Sequence, residues 1–461
     1  MPLWSCNFEA CTNPAVQKEG DCLCCDRHLC RKHSSEPFHT CPNPEENWSA
    51  FSAQYAATEA RHIDELCNRI DGPKLCSRAS EIRGGIPCTV DLSRKHLSSM
   101  MGHQNCHAEI VFKDKVRWLA RLRLTRTTSP PEEVRDCILR SEAATLTYLQ
   151  DRTSIPAPRI FDWACESDLD NSVGVGYILM EKLDGNPLDW QAATLAQREK
   201  IMQQLVDVFL EIERHPFGSM GSLFEARRPA NFVVQGLAQH ATYRMGAGGP
   251  IGPFASSLEG SVAIVKSYLA MIASGEIGVR HSVDNYLAHR FRLDVASSLC
   301  EDDPADQFFL KHPDDKGDHI LVNESYDIVG IIDWEWTRTA SKAEAFSSPC
   351  MMWPVGEFYR GSNELDPDEV RLAKIFEERG RKDLSDCVLN GRKAQRFYFA
   401  MGPESPSSNR KTLIDLFLGL TTAFNFESEG WEQWRRKALI EWKDDELLQG
   451  LIRLDTSDES Q

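Results

Sequence analysis

Residues 309–336, FLKHPDDKGDHILVNESYDIVGIIDWEW, decide how the rest of the chain is read. The first part is polar and sets His312 two positions ahead of Asp314. Two apolar runs follow, 320–322 and 328–332, and Glu324-Ser325-Tyr326-Asp327 between them has turn chemistry. The pattern predicts a short buried hairpin that ends on the carboxylate of Asp333. A surface hairpin with solvated acids is the bland alternative, since most carboxylates are ordinary surface groups. The ordered succession of His-x-Asp, hairpin and Asp-Trp is more specific than either acid alone.

These residues resemble the aminoglycoside phosphotransferase family, the small-molecule branch of the protein-kinase-like fold, and especially its fungal-type members. The family order is His-x-Asp, four residues, a metal-binding Asn and a hairpin closing on Asp-Trp. Here it reads His312, Asp314, His319, Ile320-Leu321-Val322 and Ile331-Ile332-Asp333-Trp334, with His319 where the family has Asn. A second register, Lys316-Gly317-Asp318 with Asn323, leaves nine residues before Asp333, against thirteen after His319, and the first register is preferred. The resemblance implies an α+β, bilobal kinase-like fold with a small sheet-bearing N-lobe and a helical C-lobe. It also implies transfer of the γ-phosphoryl of ATP or GTP to a hydroxyl of an unidentified small molecule.

Such chemistry needs one carboxylate to orient and deprotonate the hydroxyl and another to hold magnesium on the phosphates. By the resemblance Asp314 is the base, His312 braces the loop, and Asp333 with His319 holds the magnesium. Magnesium prefers oxygen ligands, whereas imidazole suits softer metals. Either His319 binds a different ion, or Asp318 supplies the oxygen, or turnover has been lost and the chain is a nucleotide-binding adaptor.

Upstream, 107–112 and 116–124 read as strands. In the second, Trp118, Ala120 and Leu122 alternate with Arg117, Arg121 and Arg123, giving one apolar and one polar face. The resemblance makes Arg121, with Arg123 as runner-up, the cation on the phosphates. It makes Glu142 the partner of that cation, on a helix opened by Pro130-Pro131-Glu132-Glu133 and running to about 149. The run TSIPAPRIFDW at 153–163 is similar to the family's link from that helix to the next strand. Residues 177–185 resemble the interlobe hinge, where the backbone of Met180, Glu181 and Leu183 would hold the base. Ser98, Ser99 and Gly102 are a weak candidate for a phosphate-covering turn between two strands.

The first 41 residues hold Cys6, Cys11, Cys22, Cys24, Cys25, Cys30, His33, His39 and Cys41. Thiolates and imidazoles in that density point to two tetrahedral zinc ions. The spacing resembles the AN-one-type zinc finger. By that resemblance Cys6, Cys11, Cys30 and His33 hold one zinc and Cys22, Cys25, His39 and Cys41 the other, with Cys24 competing for a place beside Cys22 or Cys25. About 40 residues cannot build a sufficient core, and a structural zinc contributes roughly 10 kcal/mol or more. The finger is expected to be a folding device and a docking module for a protein partner, which the family suggests is ubiquitin-linked.

The 461 residues carry a net charge of −17 and 41% hydrophobic side chains. That balance argues against nonspecific nucleic-acid or anionic-membrane binding, and no apolar run approaches a membrane span. A cytoplasmic protein, with the nucleus as an alternative, is expected. The expected units are 1–43, the finger; 44–94, a linker and helix; 95–183, the N-lobe; 184–454, the C-lobe; and 455–461, a polar tail. Helices are expected at 53–70, 194–214, 258–274, 283–299, 367–380, 385–401, 410–424 and 430–453, with a Gly- and Pro-rich loop at 218–253. Glu335, Asp366 and Asp368 are acids that could favour a cationic acceptor.

Overall fold

Cysteine and histidine side chains gather the first 41 residues around two short strands, β1 (Asp21–Cys22) and β2 (Arg27–His28). The computed structural model describes every residue except 1, 103, 228–230, 245–247, 301–306, 401–408, 427–429 and 459–461. After the Cys/His module, Asn47 accepts a hydrogen bond from the amide of Ala50 and starts α1 (Trp48–Arg69), earlier than the apolar periodicity alone suggests. Asp71 caps α2 (Gly72–Ile82), whose proline stands in the first turn, where its missing N–H costs nothing.

Five antiparallel strands follow: β3 (Cys88–Val90), β4 (Asn105–Phe112), β5 (Arg117–Arg123), β6 (Ile160–Ala164) and β7 (Tyr177–Glu181), in the order β3-β4-β5-β7-β6. One face presents Ala108, Ile110, Ala120, Leu122 and Leu179 to Ile63, Leu66, Leu75 and Ala79 of α1 and α2. By the two-residue period of a strand, the opposite face carries Leu119, Arg121 and Arg123. That face looks toward α4 (Glu132–Arg152) and the second lobe. Between β3 and β4 lies a short helix, α3 (Arg94–Ser99), so Ser98 and Ser99 are helical rather than part of a tight turn.

The second lobe starts with β8 (Asn186–Pro187) and α5 (Leu195–Glu213), whose Thr194 and Gln197 form a capping box. The region expected as a loop contains a hairpin, β9 (Ser222–Arg227) with β10 (Asn231–Gln235), and a shorter pair, β11 (Tyr243–Arg244) with β12 (Gly249–Pro250). The helices α6 (Ser257–Ser274) and α7 (Ser282–Leu299) match their expected places. The decisive stretch then appears as β13 (Phe309–Lys311), β14 (Ile320–Val322) and β15 (Ile328–Ile331), and β16 (Arg338–Ala340) follows just after it. β14 and β15 form the predicted hairpin, and β13 pairs with β16, so the whole stretch is bracketed at both ends.

Phe309, Ile320, Val322, Ile331 and Trp334 join α5 and the helices Pro367–Glu378 and Lys382–Leu389 in one core. A second core unites α6 and α7 with the helices Arg410–Ala423, Trp431–Glu441 and Glu446–Asp458. Two expected helices are broken. The one at 385–401 divides near Gly391 and continues as a π-helical turn, Gln395–Ala400, with residue 401 outside the described set. The one at 430–453 is two helices, and the second runs through Asp458, into what was expected as a frayed tail. The architecture is the expected α+β one, a sheet-bearing lobe and a helical lobe with a Cys/His module in front. Among the described residues no single helix is long and apolar enough to cross a membrane.

Candidate active site

Asp314 and Asp333 line one cleft, of about 1240 Å³, together with Arg121 and Glu142. Past β15 the chain turns sharply: Asp333 has φ 63°, in the left-handed region that costs an L-residue energy. The turn is held by neighbours, because the indole N–H of buried Trp334 donates to the carbonyl of Ile331 at 2.8 Å and the amide of Ile332 donates to the carbonyl of His319 at 2.9 Å. The Asp333 side chain keeps 51% of its surface exposed to the cleft. Desolvation by the cleft wall raises its carboxyl, against the pull of Arg121.

His312 braces the loop. Its Nε2 donates to the carbonyl of Ile332 at 2.9 Å, and its Nδ1 accepts from the amide of Asp314 at 3.2 Å. Burial lowers the His312 pKa, so the ring is the neutral tautomer that this pattern requires. Asp314 itself is partly exposed beside Lys316, whose Nζ lies 3.1 Å from its Oδ2. Asp315 does structural work, accepting from Lys311 Nζ at 3.0 Å and from the amide of Cys350 at 3.1 Å.

Arg121 is buried, and its guanidinium meets three carboxylates: Glu142, Glu335 and, at 3.2 Å, Asp333. Glu335 is also paired with Arg123 and accepts from Asn105 Nδ2 at 3.1 Å. Burial pushes Glu142 up to about 7, whereas for Glu335 the two arginines overcome burial and hold the carboxyl down at about 2. Together the acids keep Arg121 raised despite its own burial. The interlobe end of the cleft is lined by Met180, Glu181 and Leu183 from the end of β7, with Leu119, Leu321 and Ile332 as apolar walls.

Seven predicted residues, Arg121, Glu142, Met180, Glu181, Leu183, Asp314 and Asp333, therefore meet at this cleft, His312 braces its loop from behind, and His319 departs from the expectation. It is buried, its ring stacks on His312 with centroids 4.3 Å apart, and it is not among the residues that line the cleft. Its Nδ1 is enclosed without a partner, and burial lowers its pKa to about 2. The second register is excluded by geometry, since Asn323 closes the turn between β14 and β15, its Oδ1 accepting from the amides of Ser325 and Asp327 at 2.9 Å. Gly102 does line the cleft, but Ser98 and Ser99 stay on α3. The acids considered for a cationic acceptor are engaged elsewhere: Glu335 by arginines, Asp366 as a helix cap, and Asp368 by Arg198 at 2.9 Å. The role of Glu335 was missed; the alternation that put Arg123 beside Arg121 was the signal that two cations on one face need a shared buried acid.

The two expected donor sets assemble, Cys6 with Cys11, Cys30 and His33, and Cys22 with Cys25, His39 and Cys41. Within each set the ligand atoms lie within 4.8 Å of one another. Ligands at roughly 2.0–2.3 Å from a tetrahedral zinc would stand about 3.3–3.8 Å apart. His33 Nδ1 lies 3.4 Å from Cys30 Sγ and 3.5 Å from Cys6 Sγ, and His39 Nε2 lies 3.6 Å from Cys25 Sγ. The sets fit closed, four-ligand zinc. Cys24 turns away, its thiol 3.8 Å from the carbonyl of Phe51.

No family model matches the chain. Among curated proteins it is similar to subtelomeric hrmA-associated cluster proteins from two strains of Aspergillus fumigatus, 33% identical over 89 residues in each case. The match spans 19% of this chain and 17% of the length of either relative. Among solved structures it is similar to a candidate aminoglycoside phosphotransferase of Ralstonia eutropha, at TM-score 0.42 and 17% identity over 80% of this chain and 99% of that one. It is also similar to a candidate fructosamine-3-kinase of Thermobifida fusca, at TM-score 0.45 and 15% identity over 75% of this chain and 98% of that one. A third is the Plasmodium vivax ethanolamine kinase, at TM-score 0.41 and 12% identity over 87% of this chain and 91% of that one.

Proposed function

We propose that the chain is a phosphotransferase that moves the γ-phosphoryl of ATP or GTP to a hydroxyl of a small molecule. The observation that carries this reading is the meeting of Asp314 and Asp333 in one interlobe cleft beside the Arg121–Glu142 pair. In it the base lies between Leu119 and Leu321 against the backbone of Met180, Glu181 and Leu183, and Arg121 faces the phosphates. Asp314 takes the proton of the acceptor hydroxyl as its oxygen bonds to the γ-phosphorus and the bond to the β-phosphate oxygen breaks, releasing the nucleoside diphosphate. Magnesium, a hard cation suited to carboxylate oxygen, would be held by Asp333 rather than by His319 and would neutralise charge on the phosphates. Zinc in the two Cys/His sets is structural.

A second reading, a nucleotide-binding adaptor without turnover, is favoured by one observation: no amide oxygen stands at position 319 to share the metal. Calorimetry with Mg·ATP and Mg·GTP, followed by product analysis over hours, separates the two. The phosphotransferase binds nucleotide only with the metal, and Asp314→Asn keeps that affinity while turnover falls at least 100-fold. Binding without any turnover favours the adaptor, and no binding of either nucleotide removes both readings.

A further inference from the structure

The finger is not an appendage beside the cleft. Trp4, Gln17, Lys18, Asp21 and Leu23 are among the residues that line it. Its location follows from the sheet. β7 runs from Tyr177, opposite Leu122, to Glu181, opposite Trp118, and then crosses to the second lobe. The Arg123 end of β5 is therefore the end away from that crossing, and it is where the finger sits. Asp26 Oδ1 accepts from the amide of Thr127 at 3.3 Å, and the Trp4 indole donates to the carbonyl of Ser129 at 3.1 Å.

The same small module grips the second lobe. The Gln17 amide donates to the carbonyl of Glu276 at 2.8 Å, its side chain reaches Met271 Sδ at 3.3 Å, and the Trp4 ring meets His240 edge-on at 5.9 Å. Leu3 is buried against Val134 and Ile138 of α4, with Tyr243 and Trp336 packed on the same cluster. Trp336 belongs to the stretch that carries Asp333, so the anchor of the finger touches the catalytic segment itself.

We propose that the finger is the far wall of the substrate cleft and a second tie between the lobes, with Trp4, Lys18 and Asp21 facing the acceptor. This rests on the phosphotransferase reading for what the cleft holds, though the docking itself does not. It gives the finger a role inside the chain: two zinc-stapled loops position one aromatic, one cationic and one anionic side chain across from the base, while the backbone tie at Gln17 fixes how far the lobes separate. Closing the far mouth also excludes water, which would otherwise compete with the acceptor hydroxyl.

Leu3 lies outside both donor sets and outside the finger's own small cluster of Cys6, Leu29 and Cys30, so Leu3→Asp undocks the finger without removing a zinc ligand. The full chain and this variant are compared by zinc content, by hydrogen exchange of the Gln17 amide and by Mg·ADP affinity, with Trp4→Ala read in its place if Leu3→Asp loses cooperative unfolding. Expected are two zinc ions in every protein, a Gln17 amide protected only in the parent chain, and Mg·ADP bound at least fivefold more weakly by the undocked variant. An undocked finger with parental Mg·ADP affinity overturns the proposal, and so does a Gln17 amide that exchanges freely in the parent. A protected Gln17 in a parent chain that binds no nucleotide sinks the phosphotransferase reading alone and upholds the tie.

Discussion

His312 and Ile332 are joined by a 2.9 Å hydrogen bond from the imidazole Nε2 to the backbone carbonyl, which fastens the loop of Asp314 to the residue that precedes Asp333. One neutral ring thus sets the separation of the two acids. Replacing it by alanine removes this bond and the one from the Asp314 amide, and leaves a void beside Trp334 and His319. His312→Ala should lose about 2–4 kcal/mol in urea unfolding, and turnover should fall along with it.

Arg121 is the cation for three carboxylates, two of them fully buried. Removing it leaves Glu142 without its partner, and a buried pair broken on one side typically costs about 3–5 kcal/mol. Arg121→Ala should therefore unfold at markedly lower urea, with the loss partly recovered in Arg121→Ala/Glu142→Gln. Arg121→Lys should bind nucleotide more weakly than the parent, because one ammonium cannot reproduce the fork that spans Glu142 and Glu335.

His319 carries a pH dependence. Burial depresses its native pKa from 6.5 to about 2, so the unfolded chain takes up a proton that the native chain refuses. Stability is complete above about pH 6.5 and falls as the pH drops below it, by up to about 1.4 kcal/mol per pH unit for this ring. His319→Asn should flatten the urea midpoint between pH 6.5 and 4.5. A steeper loss in the variant would contradict the assignment.

The donor sets predict unequal cysteines. Cys25→Ser should bind one zinc where the parent binds two, while Cys24→Ser should keep both, since its thiol faces the carbonyl of Phe51. Metal analysis of the purified proteins decides this directly.

Much of the site was legible because its signals are local. The hairpin with its flanking acids forms one short stretch and the alternation of β5 another, each readable by itself, and the Cys/His donors announce themselves by type. The broken helix at 385–401 was illegible because Gly391 alone does not say which turn it ends, and the π-helical continuation answers to packing against distant elements. The hairpin of β9 and β10 hid in a glycine-rich segment whose strands, among the described residues, pair with one another alone. The burial of His319 depended on His312 folding over it, and the finger's place in the cleft depended on contacts across most of the chain. The two histidines stand seven positions apart, but spacing alone does not show which ring covers which, and no window of sequence spans the contacts of the finger.

Gln17 meets Met271 across 254 positions, whereas both Cys/His donor sets lie within the first 41 residues. The module can therefore be complete long before its landing surface has been synthesised. The entropy of joining such distant segments grows only with the logarithm of the intervening length. Filling the donor sets would need only this local stretch, whereas joining the lobes would need most of the polypeptide.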